Sequence, residues 1–367
     1  MTTIETGRTD RLLSLDFYRG LTMFLLIAEF SNLFSHLVAP EFQGTIIHFI
    51  GTQLHHVEWI GLHFWDLIQP FFMFIVGVAM PLSFAKRMAK GDSYSQVARH
   101  VFKRAFIMLL LGWGLYCIDP GKIVFRFQNV LAQLSITYIL AFLVIRKPVS
   151  IQVGFSILLI LINEGLYRFF PVKGFNNAFV GGENFGAWFN ILISGEKGGG
   201  NWAMFNAIPT AAHTIWGVMA GQLLMGNFSA KKKLTILFGA GFIGLIIGFG
   251  LSPFTPIIKR IATSTFVFAS GGWALIALAV CYWIIDVRKH QKGVLFFAIV
   301  GMNPLFIYLF AHVGGAKLIS KIFLPFSNAL FGWTGELGAQ IILSSIVLFS
   351  LWYICYWLYK RKIFIRI

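Results

Sequence analysis

The sequence predicts an all-α, polytopic membrane protein of about ten transmembrane helices with both termini cytoplasmic. Three observations carry that prediction. Of 367 residues, 57% are hydrophobic and only 12% charged, against about 25% charged in ordinary soluble domains. The apolar residues are gathered into long runs, giving a mean hydropathy of +0.76, and a helix needs about 20 such residues to cross a bilayer. Basic residues are dense and sparse by turns in the segments between the runs, as membrane topology requires.

In chain order the runs span residues 17–37, 67–84, 101–118, 130–145, 149–163, 205–225, 234–251, 263–285, 294–312 and 339–359. The fifth is the shortest, and the ninth is interrupted by Gly301 and Pro304. With the N-terminus in the cytoplasm, 20 Lys and Arg residues fall inside and 9 outside, Arg19 being left within the first run. The alternation is unbroken, which supports ten spans. Residues 1–16 contain Glu5, Arg8, Asp10 and Arg11 but no apolar core. They read as a short cytoplasmic leader ahead of an uncleaved first helix, and residues 17–367 read as one transmembrane domain. Its long external loops lie at about 38–66 and 164–204.

The net charge of +16 would favour nucleic acid as a partner in a soluble protein. Here topology accounts for it, and no nucleic acid is expected. Cys117, Cys281 and Cys355 lie in apolar segments at unrelated spacings, which fits neither a disulfide nor a metal pattern. No internal repeat of the kind that builds many transporters is evident.

Polar residues are unevenly placed. Seven of nine histidines (His36, His48, His55, His56, His63, His213 and His312) fall in the outer half of this topology, where acid–base chemistry is therefore expected. The densest cluster is LHHVEWIGLHFWDLIQP, residues 54–70. If residues 54–66 are helical, His56, Trp59 and His63 share one face, with His55, Trp59 and Asp66 on the adjacent stripe. Asp66 leads into an apolar span, where an ionisable group points to function. The plainer alternative makes His55 and His56 wetted loop residues and Asp66 a helix cap. The His spacing matches no known zinc motif, so no metal is expected. Asp16 and Arg19 are spaced for an ion pair. Glu29, deep in the first run, should face the bundle. Asn303 precedes Pro304, where a backbone carbonyl is freed; it either donates to a substrate oxygen or satisfies that carbonyl.

Several segments resemble the heparan-α-glucosaminide N-acetyltransferase family of membrane acetyltransferases. RLLSLDFYRG at residues 11–20 is similar to the family's Ser-x-Asp-x-x-Arg-Gly opening. His56, Trp59, Gly61 and Asp66, running into DLIQPFFMFIVG, resemble its His-x-x-Trp-x-Gly element and the following Asp-Leu-x-x-Pro-x-Phe-x-Phe-x-x-Gly. IPTAAHTIWGVMAGQLL at 208–224, GMNPLFIYLFAHV at 301–313 and LYKRKIFIRI at 358–367 follow in the family's order. The departures are Phe30 where the family has an asparagine, Ile60 where it has another, and Ala132–Gln133 in place of a Gln-Arg pair.

The resemblance implies an acetyl-CoA-dependent acetyltransferase. Acetyl would pass from cytoplasmic acetyl-CoA to the amine of a glucosamine-like sugar on the external face, in a bacterial cytoplasmic (inner) membrane and from a homodimer. His56 corresponds to the family's key histidine and would act as base or transient acyl acceptor, and Asn303 or a backbone amide would steady the oxyanion. Asp66 and Glu29 would attract the sugar ammonium, with Trp59 and His312 beside them. Lys86, Arg87, Arg104 and Lys360 are the candidate partners for the CoA phosphates. The rival readings are a sugar or amino-sugar transporter and an O-acyltransferase of cell-envelope glycans.

Overall fold

A computed structural model describes residues 12–365. The first eleven positions of the expected leader, with Arg366 and Ile367, lie outside the described residues. Among those described there are helices and loops but no strand. Each of the ten expected runs coincides with helix.

The chain forms α1 (Leu13–Phe30), α2 (Leu33–Leu37), α3 (Ile46–Gln53), α4 (Ile68–Ala89), α5 (Tyr94–Ile118), α6 (Val130–Val144), α7 (Val149–Arg168) and α8 (Phe185–Ser194). It continues through α9 (Ala207–Met225), α10 (Ala230–Gly250), α11 (Ser264–Cys281), α12 (Val294–Met302), α13 (Pro304–Phe310), α14 (Ala316–Phe331) and α15 (Gly335–Lys360). Six helical segments among the described residues are long and apolar enough to cross a membrane. Starts follow local chemistry. Ser93 and Gln96 form a reciprocal capping box at α5, and Asn129 caps α6 by accepting from Ala132 N–H. The interrupted ninth run divides at Asn303, after which Pro304 opens α13 with the fixed φ suited to a first helical position.

Four local expectations change. α1 stops at Phe30 rather than at 37, because Asn32 takes a left-handed conformation with φ of 65°. The two expected loops contain α3 and α8, both too short to stand out as spans. Residues 54–63 are irregular, not helical, so the helical-face argument for His56, Trp59 and His63 does not hold. Between the ninth and tenth runs, where Lys317, Lys321 and Pro325 break the hydropathy, the chain forms a helix not expected from the sequence, the amphipathic α14 packed on α15.

α4 and α9 form the centre of the bundle. α6 and α7 pack against α9, α1 and α11 against α4, α12 against α1, and α10 against α11. The α4–α9 approach depends on missing side chains. A Cβ on Gly77 would lie 2.1 Å from the Thr214 carbonyl oxygen, and one on Gly217 would lie 2.1 Å from that of Phe74. Around this seam Phe74, Ile75, Val78 and Ala220 are buried together. α4 thereby holds one end of the bundle in fixed relation to the other. Asp66 stands just before its start and Arg87 near its finish, separated by about 30 Å of helical rise. Gly217→Val is expected to force α4 and α9 apart at a cost of about 1–3 kcal/mol. Thermal unfolding of the detergent-solubilised protein should show a lower midpoint; an unchanged midpoint would contradict this packing.

Candidate functional site

The chain from Gln53 to Phe64 folds back on itself at the histidine-rich end of the bundle. Gly61 makes the fold possible: its φ of +133° suits glycine, and its N–H donates to the Ile257 carbonyl at 2.9 Å. The reversal returns His56 to Asp66, whose side chain is 2% exposed. His56 Nδ1 and Asp66 Oδ1 are 2.7 Å apart. A carboxylate oxygen can only accept at that distance, so the imidazole proton is on Nδ1. Asp66 Oδ2 accepts backbone N–H groups from His63 at 3.0 Å and Val57 at 3.3 Å. Asp66 is thus the ring's partner and, through the His63 N–H, closes the short turn at Phe64–Leu67; it does not cap α4, whose start has no side-chain cap. His56 Nε2 has no hydrogen-bond partner among the described residues, and the side chain keeps 35% of its surface exposed.

A third charged group comes from a distant segment. The connection between α10 and α11 is pinned by Ala203 N–H to the Arg260 carbonyl, by Asn163 to the Ala262 carbonyl, and by the Thr263 hydroxyl to Pro256. Ile257, Ile258, Ile261 and Ala262 are buried. This framework carries Lys259 inward, to 3.3 Å from His56 Nδ1 and 3.6 Å from Asp66 Oδ1. Trp202 completes the wall, its ring 5.7 Å from that of His56 and also beneath Lys259 and Arg260. Neither Lys259 nor Trp202 was singled out from the sequence. The available signal was charge: Lys259 and Arg260 are two of the few cations that the expected topology puts outside.

The remaining sequence-derived residues are distributed as follows. Glu29 joins the site's edge by accepting from Trp65 Nε1 at 3.1 Å, and the Trp65 ring is 6.4 Å from His56. Trp59 is committed to scaffolding: its Nε1 donates to the Phe179 carbonyl, tying the His56 loop to the segment before α8. His312 stacks on Tyr308 and meets Phe30 edge-on. Asn303 is fully buried away from the dyad, with Nδ2 donating to the Ile363 carbonyl and Oδ1 accepting from Ile365 N–H. Its carboxamide holds the chain's tail and does not satisfy the carbonyl freed by Pro304. At the opposite end of α4, Lys86 and Arg87 line a cavity of about 320 Å³ with Ser83, Lys90 and Asp92. Arg104 lies over Tyr138, which lines an adjoining recess with Arg87. Lys360 lies over Tyr356 on α15. The expected Asp16–Arg19 ion pair is present at 2.8 Å.

Burial lowers the His56 pKa below its ordinary 6.5, against the raising effect of the Asp66 hydrogen bond, and the Lys259 charge lowers it further. Burial also pushes Lys259 down to about 8, opposed by the negative charges of Asp66 and Glu29. At neutral pH His56 is therefore a neutral imidazole with an available lone pair on Nε2, suited to accept a proton or attack a carbonyl. Spectra of ¹³C-labelled histidine, assigned by loss of one resonance in His56→Asn, should show His56 titrating below 6.5. Asp66→Asn should shift that titration lower still, because the anion that favours the charged ring is removed. A rise in Asp66→Asn would contradict the pairing.

No protein-family model matches the chain. Comparison with curated proteins finds human heparan-α-glucosaminide N-acetyltransferase, 26% identical over 97% of this chain and 60% of the human protein. The mouse protein of the same name is 24% identical over 99% of this chain and 62% of its own length. The chain spans about 60% of the length of the curated relatives it matches. Over nearly all of its residues, the chain is a distant relative of heparan-α-glucosaminide N-acetyltransferase.

Proposed function

We propose that the protein is a transmembrane N-acetyltransferase that moves acetyl from acetyl-CoA to the amine of a glucosamine-type sugar. The observation that carries this reading is the His56–Asp66 pair, with Nδ1 committed to the carboxylate and Nε2 open. Its relationship to two proteins named as N-acetyltransferases of an α-glucosaminide supports the substrate class.

In this reading the end of the bundle bearing Lys86, Arg87 and Arg104 faces the cytoplasm, as do both chain termini. The end bearing His56 faces the opposite compartment of a bacterial inner membrane. Ten spans, built as one transmembrane domain, separate them. The cavity around Lys86 and Arg87 supports placing the CoA phosphates there, since clustered cations are suited to phosphate oxygens. Gln69, one turn beyond Asp66, is hydrogen-bonded to Gln133 of α6 and offers polar groups inside the bundle between the two ends. Glu29 supplies negative charge that attracts a sugar ammonium, while Asp66, already met by His56 and Lys259, is given to orienting the imidazole. Asn303 has both amide groups engaged and is assigned to holding the tail.

The step balances simply. The amine nitrogen attacks the thioester carbonyl, and its proton passes to His56 Nε2. The tetrahedral intermediate then expels the CoA sulfur, which leaves as the thiol with the proton that His56 returns. Asp66 fixes the ring's orientation and stabilises the imidazolium while it exists. An acetyl-imidazole route uses the same Nε2 lone pair, with the amine attacking second.

Incubation of the purified protein with acetyl-labelled acetyl-CoA and glucosamine should yield N-acetylated sugar. His56→Ala should reduce transfer by about 100-fold or more, and His56→Asn, which keeps a donor for Asp66, should do the same with a thermal midpoint near that of the unaltered protein. Transfer within a fewfold of the original would remove His56 from the mechanism. Sugar counterflow in liposomes without acetylation would replace the enzyme reading with a transporter.

A further inference from the structure

A lysine beside a histidine–carboxylate pair opposes the protonation that the carboxylate favours. Lys259 is only 7% exposed and contacts both members of the pair. With the Nδ1 proton donated to Asp66, Nδ1 has no lone pair for Lys259. The ammonium therefore acts on the pair through its charge on the carboxylate. We infer that Lys259 is a positioning residue that offsets Asp66 electrostatically, so that Asp66 can orient His56 without holding it in the protonated, inactive form. This inference rests on the proposed use of His56 as base or nucleophile.

The surrounding groups leave this task to Lys259. Arg260, the neighbouring cation, is turned away, donating from Nη1 to the Gly200 carbonyl at 2.6 Å. Glu29 is held on Trp65 from α1. His55 donates Nδ1–H to the Gly51 carbonyl, and His63 donates its own to the His55 carbonyl. These bonds direct one nitrogen of each ring to backbone. Asp66 is the carboxylate in contact with the His56 ring, and Lys259 the cation in contact with both.

The pinning of residues 252–263 also fits a placed charge better than an incidental one. A flexible loop would let the ammonium swing to water, where a long charged side chain is normally hydrated. Here the backbone at Ala262 adopts φ of 48°, and Asn163 binds its carbonyl from α7. The carboxylate then holds the ring's geometry while the cation cancels much of its field. Lys259 titrates at about 8, above the range in which His56 titrates, so it remains charged while His56 gains or loses its proton.

The test compares pH profiles of kcat/KM for acetyl transfer. Neutral replacements Lys259→Met and Lys259→Gln should move the acid limb to higher pH by about one unit or more. At neutral pH they should lose activity that returns as pH rises. Lys259→Arg, which keeps the charge, should keep the original limb. The His56 resonance should follow the same order, rising in both neutral variants and falling back in Lys259→Met/Asp66→Asn, where neither charge is present. Equal loss at every pH with an unmoved limb and an unmoved resonance would overturn the inference and leave Lys259 a structural residue. If no variant, nor the unaltered protein, transfers acetyl, the functional reading fails. The histidine titration still decides what Lys259 does.

Discussion

The site depends on one constraint: the Asp66 carboxylate is buried at the head of α4 and must be paired. An isolated buried anion is very unfavourable, and breaking such a pair typically costs about 3–5 kcal/mol. Four donors meet it, namely His56 Nδ1, the N–H groups of Val57 and His63, and Lys259. Two of those donors belong to the backbone of the loop that carries His56. The carboxylate therefore specifies that loop's shape as well as the imidazole's orientation. Lys259 arrives from a connection about 200 residues further along the chain, and its loop is anchored by isoleucines buried in the hydrophobic core.

That convergence explains which parts were legible in the sequence. The all-helical, membrane-type character was, because lipid-facing and core-facing helices are both apolar, and six described helical segments are long and apolar enough to cross a membrane. His56 and Asp66 were each legible as chemically active residues of one polar island, but not as a pair, because a helical reading sets Asp66 beside His55 instead. The route by which they meet was not legible either. A helical face was the natural expectation, yet Gly61 and its bond to Ile257 impose a reversal instead. Periodicity reports which residues share a face of one element; it carries no information on which loops meet across a bundle. Lys259 and Trp202 reach His56 only through the placement of α7, α9 and α11, so no local pattern marks them.

The outlying residues show the same limit. Asn303 has the residue type expected of an oxyanion donor and stands beside a helix break, but the tail from Ile363 to Ile365 occupies both its amide groups. Trp59, adjacent to the histidines in sequence, fastens two loops together and so supports the site from behind. Lys86 and Arg87 were named from charge alone, and the structure adds a cavity that they share. α4, held to α9 at the glycine seam, starts just after Asp66 and carries Lys86 and Arg87 near its other end.

The proposed function requires donor and acceptor chemistry to occur at opposite membrane faces. Single cysteines placed at positions 56 and 360, in a background with Cys117, Cys281 and Cys355 replaced, can be probed with a membrane-impermeant maleimide in intact cells and in inverted vesicles. Position 56 should react only from outside the cell, and position 360 only in the inverted vesicles. Reaction of both positions from the same side would contradict transfer across the membrane.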